Sequence, residues 1–110
     1  MPTNYKVLGQ VAPSATTATT LYTVPSSTEA VISTIVVCNR SATNRTFRIA
    51  VRPNGATLAN EHYIAYDVTV GLSDSTTLTL GLTLDAADVL TVYASTTDLS
   101  FSAFGSEITA

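Results

Sequence analysis

The chain has 110 residues, of which 45% are hydrophobic and only 12% charged, and it carries a net charge of −3 at neutral pH. That length and apolar content suit one domain with a single core and exclude a chain disordered by composition. The weak negative charge disfavours a nucleic-acid backbone as partner, because such a partner demands clustered positive charge, and the single cysteine excludes an intrachain disulfide.

No long segment has a helical period, and alternation dominates from end to end. The opening Met1-Pro2-Thr3-Asn4-Tyr5 has neither a charged leader nor an apolar run, so no signal peptide is expected. No apolar stretch approaches the roughly 18 residues that a membrane span needs. Residues 5–10 read as a first strand. Residues 12–20, rich in Ala, Ser and Thr, read as a mobile link or as part of an arm over 1–20 that docks elsewhere, within one domain spanning 1–110. A strand over 19–24 ends at Pro25. Residues 29–39 finish apolar on both faces, which predicts a central strand with Cys38 as a small buried hydrophobe.

Phe47, Ile49 and Val51 alternate with Arg48, Ala50 and Arg52, and the run closes on the turn signal Arg52-Pro53-Asn54-Gly55. A strand over 63–68 follows. Over 77–84 every leucine falls on one face and Thr or Gly on the other. Asp85-Ala86-Ala87-Asp88 is a short turn leading into a strand over 88–94. The last run, 99–108, changes phase: Leu99, Phe101 and Ala103 share a face, whereas Phe104, Ser106 and Ile108 follow the opposite parity. A bulge near Ala103–Phe104 would keep both aromatics inside. About eight short strands at close spacing predict an all-β fold, an antiparallel β-sandwich or jelly roll.

Little in the chain points to catalysis. His62 is the only histidine, no nucleophile elbow occurs, and His62 reads as a surface or interface residue. No second Cys or His stands at zinc-ligand spacing from Cys38. Asp85 and Asp88 fit a shared calcium ion less well than a capped turn. Trp is absent, and the five tyrosines are spread along the chain, which weighs against a sugar-stacking surface. These features describe a structural or interaction module, not an enzyme, with no cofactor and no metal.

One asymmetry remains. Four of the five basic residues, Arg40, Arg45, Arg48 and Arg52, crowd into one short stretch. Arg48 and Arg52 share a parity and should project from one strand face. They read either as a docking stripe for an acidic partner or neighbouring subunit, or as a solvated outer face. Tyr5 and Lys6, in the terminal segment 1–10, complete the candidate interface.

From residue 21 to residue 108 the chain resembles a small β-rich structural domain of tailed bacteriophages. The segments that carry the likeness are Leu21-Tyr22-Thr23-Val24-Pro25, Ser33-Thr34-Ile35-Val36-Val37-Cys38-Asn39-Arg40, Phe47-Arg48-Ile49-Ala50-Val51, Tyr63-Ile64-Ala65-Tyr66-Asp67, Leu78-Thr79-Leu80-Gly81-Leu82 and the closing stretch 101–108. Asp88-Val89-Leu90-Thr91-Val92 and the stretch 99–105 are, more faintly, similar to the last two strands of tumour-necrosis-factor-like jelly rolls. The resemblance implies a virion structural protein, assembled in the host cytoplasm. The expected role is a homotrimeric capsid decoration or cement protein whose partners are copies of itself and the major capsid protein, with neither nucleic acid nor membrane. A tail, collar or fibre-tip receptor-binding module and a small carbohydrate-binding module are the alternatives.

Overall fold

Each of the eight alternating runs forms a strand. The computed structural model describes residues 3–109, in which the strands are β1 (Thr3–Val11), β2 (Thr19–Thr23), β3 (Thr28–Asn39), β4 (Arg45–Arg52), β5 (Tyr63–Val70), β6 (Ser75–Leu84), β7 (Val89–Ala94) and β8 (Leu99–Thr109). They make two four-stranded sheets, ordered β1-β8-β3-β6 and β2-β7-β4-β5, with antiparallel pairing throughout both. First pairs with last, second with seventh, third with sixth and fourth with fifth. That nesting is the winding of a jelly roll, in which one long antiparallel ribbon folds over to make both sheets.

The core lies between the sheets. Ile32, Ile35, Val37, Leu99 and Phe101 enter it from the first sheet, and Phe47, Ile49, Val70, Leu90 and Val92 from the second. Phe47 and Phe101 meet edge to face across the gap, with ring centroids 6.1 Å apart, the geometry their quadrupoles favour. At one end of the sandwich Asn39 is buried. Its Nδ2 donates to the carbonyls of Thr43, Val70 and Gly71, and its Oδ1 accepts from the backbone N–H and hydroxyl of Ser41. One side chain thereby ties the β3–β4 loop to the β5–β6 loop, and its polar atoms are fully used, as burial demands.

The departures from the expected pattern come mainly from bulges. β8 keeps one parity to its end, with Leu99, Phe101, Ala103 and Glu107 all facing the core. The extra residues sit instead in its two neighbours, at Leu8 of β1 and Ser33 of β3, where the register shifts fall on either side of Phe104. Phe104 therefore turns to the outer face and is only half-buried, contrary to the expectation that both aromatics lie inside. A second correction concerns β6: Leu78, Leu82 and Leu84 turn inward, but Leu80 is 42% exposed. Leu80 and Gly81 together oppose Ser33, and Gly81 takes φ +65°, a conformation natural for glycine.

Cys38 is exposed, not buried. The bulge at Ser33 sets the parity of the strand's second half, so Val37 and Asn39 face the core and Cys38 faces out. The expected arm is a strand of the domain: Thr3–Val11 pairs with β8 along its length, and the link that follows is pinned where the Thr16 N–H donates to the Ala94 carbonyl. Residues 1 and 2 of that arm lie outside the described residues.

Candidate functional site

The six residues expected at an interface occupy three separate places. Arg40 and Arg45 lie at the loop end of the sandwich. Arg40 Nη2 donates to the Thr97 carbonyl at 2.7 Å, and Arg45 pairs with Asp98 at 3.1 Å, so both brace the β7–β8 loop. Arg48 and Arg52 share the outer face of the second sheet, as their parity predicts. Arg52 donates to the Thr91 hydroxyl and to the carbonyls of Gly55 and Ala56. Tyr5 and Lys6 belong to β1, on the first sheet.

Around Arg48 the second sheet builds a polar–aromatic cluster. β5 carries a bulge in which Tyr66 and Asp67 together oppose Arg48, with Asp67 at φ +51°. The bulge aims two consecutive side chains at one arginine. Arg48 Nε donates to Asp67 Oδ1 at 2.7 Å, and Nη2 reaches Oδ2 at 3.5 Å. The guanidinium carbon stands 4.1 Å from the Tyr66 ring centre and 4.3 Å from that of Tyr93, its cross-strand neighbour on β7. Both contacts are cation–π interactions. Tyr63 meets Tyr66 edge to face at 5.0 Å. The Asp67 carboxylate pushes the Arg48 guanidinium further above its ordinary pKa, so the arginine is charged at every working pH.

The tyrosines are thus not spread out in space: three of the five converge. Sequence pattern missed this because residues three apart in a regular strand face opposite ways. A second bulge of β5, at Ile64 between the pairs Ala65–Ile49 and Tyr63–Ala50, returns Tyr63 and Tyr66 to one face.

A second network joins the sheets. Glu107 is buried on the inner face of β8; Lys6 Nζ lies 2.8 Å from its Oε1, and the Tyr22 hydroxyl of β2 donates to its Oε2. The hydrogen bonds from Lys6 and Tyr22 hold the Glu107 carboxyl below its ordinary pKa. Burial, reinforced by the bond to Glu107, raises that of Tyr22. The sequence signal was available, since Glu107 shares the inward parity of Leu99, Phe101 and Ala103.

With Lys6 turned toward Glu107, its neighbours Tyr5 and Val7 turn outward, opposite Ser106 and Phe104. Tyr5 is 85% and Val7 49% exposed. They line a broad shallow hollow of the first sheet with Val31, Ser33 and Phe104. Among the described residues no group of His, Cys, Asp and Glu side chains is arranged to hold a metal ion. Asp88 receives the backbone N–H groups of Asn54 and Asp85, and His62 Nδ1 receives that of Ala59. Among the described residues no helix is long and apolar enough to cross a membrane. Comparison with known proteins finds no family model that matches the chain and no curated protein detectably similar to it.

Proposed function

We propose that the chain is a structural module of a virion, a capsid decoration or cement protein that associates with copies of itself as a trimer and bridges neighbouring capsomers. Its action is mechanical: it adds buried surface to the joints of a shell, and many modest contacts multiplied over the lattice give a firm hold. The observation that carries this reading is the outer face of the first sheet. Tyr5 and Val7, with the flank of Phe104, present apolar surface to solvent on a sheet whose inner face already fills the core. Apolar patches rimmed by polar groups mark surfaces that are covered in use. Ser33 and Ser106 border the patch, and hydroxyl groups tolerate close packing against a neighbour without charge repulsion. The resemblance of 21–108 to a phage structural domain supports the choice of a capsid as partner.

Cryo-electron microscopy of the particle that carries the chain tests the proposal. Density for it at the capsomer joints, with the β1 side of the sandwich against a neighbour, is the expected result. Copies confined to the tail would move the role to a tail or fibre component, and absence from the particle would refute a virion role.

A further inference from the structure

The polar–aromatic cluster on the second sheet lies on the opposite outer face from the patch that carries the structural role, and it has the make-up of a recognition site. We propose that Tyr63, Tyr66, Tyr93 and the Arg48–Asp67 pair form a binding site for a neutral saccharide. Tyr66 supplies the stacking surface, and the ion pair supplies a fork of hydrogen-bond donors and acceptors.

Three observations converge on that ligand class. The first is pre-organisation. Arg48 is held by Asp67 on one side and by two tyrosine rings on others, so its guanidinium is fixed before any ligand arrives. The second is the bulge. Asp67 adopts a left-handed conformation that costs an L-residue on the order of 1 kcal/mol, and what the strain secures is the placement of Tyr66 and Asp67 about one arginine.

The third is charge. Arg48 is neutralised by Asp67, and Arg52 is committed to a hydroxyl and two backbone carbonyls. Arg52 keeps its positive charge but has its donors engaged, so the Arg48–Asp67 pair around which the tyrosines gather presents no net charge of its own to an anion or a cation. It offers donors on a guanidinium and, beside them, acceptors on a carboxylate that is 48% exposed. Adjacent hydroxyl groups, each both donor and acceptor, complement such a fork. The C–H face of a pyranose complements the open ring of Tyr66, which is 56% exposed. A broad sheet face with an exposed ring suits an extended glycan better than a small enclosed ligand.

The test uses the full chain on an array of neutral oligosaccharides of glucose, galactose, mannose and N-acetylhexosamines, printed beside sialylated and sulfated counterparts. Hits are followed by amide-resolved NMR titration. Saturable binding of a neutral glycan is expected, with shifts confined to residues of β4, β5 and β7. Tyr66→Ala should weaken it about tenfold, Tyr66→Phe should retain it, and Thr79→Ala at an exposed position of the other sheet should leave it unchanged. Tyr66 is outside the core, so a native-like amide spectrum for each variant certifies the fold. Binding of acidic glycans alone, binding insensitive to Tyr66→Ala, or no binding across the array would each overturn the site. None of these results bears on whether the chain sits on a capsid, so the two proposals fail separately.

Discussion

At the scale of single residues, two glycines on the first sheet answer to different physics. Gly105 pairs with Ile32 beside the β3 bulge, and a Cβ there would stand 1.9 Å from the Val31 carbonyl oxygen, a backbone atom with no room to retreat. Gly81 has open space around it and is needed only for its positive φ. Gly105→Ala should therefore cost at least about 2 kcal/mol, because the ladder itself must shift. Gly81→Ala should cost about 1 kcal/mol, the price of a left-handed alanine. Urea unfolding of both variants measures the difference as a shift in midpoint at constant slope. Equal losses would mean that the close approach at Gly105 relaxes freely.

At the scale of elements, β1 is the strand with least burial, exposed from Thr3 to Val7 and fastened on its inner side by Lys6 to Glu107. Glu107 has a lowered pKa in the folded chain. Its contribution is full above the unfolded value of about 4.3 and is lost as pH falls through the folded value. Tyr22 has a raised pKa, so its contribution is full below about 10 and is lost as pH climbs toward the folded value. Thermal melting should thus show a plateau around neutrality with a decline on both sides. Glu107→Gln should flatten the acid limb and cost about 1 kcal/mol at pH 7, a modest figure because the Lys6 end of the pair is half exposed to screening solvent. An unchanged acid limb in that variant would assign the decline to other carboxylates. How much of these elements was readable in advance follows from the same chemistry. All eight strands were readable because half-buried strands must alternate. The bulges were not, since Ser33, Ile64 and Tyr66-Asp67 carry no distinctive residue type, and they displaced the readings: Phe104 and Cys38 turned outward, Leu80 left the core face, and Tyr63 joined Tyr66. Gly81 does leave a mark, but within an alternating run a glycine is indistinguishable from one more small residue on the wet face of a regular strand.

At the scale of the whole molecule, the jelly roll is a slab measuring 45 × 27 × 19 Å, so its two outer faces dominate its surface. They differ in kind. The second-sheet face is polar and aromatic, with its arginines already engaged. The first-sheet face offers Tyr5 and Val7 bare beside Phe104 and a rim of hydroxyls. Every one of the five basic side chains is bonded within the chain, so the proposed association between copies of a net-negative protein would rest on apolar burial and not on a docking stripe of free arginines. That reasoning ranks the faces. Replacing Tyr5 and Val7 together by glutamate places like charges where two copies would meet, at a cost of several kcal/mol if they face each other across a closed interface. It touches no core residue, and the β1 ladder to β8 uses only backbone. The double variant should therefore melt close to the parent and elute as a monomer in size-exclusion chromatography with light scattering, whereas the proposed trimer is the expected state of the parent. Retention of the parent's mass by the variant would show that the first-sheet face is not where the copies join.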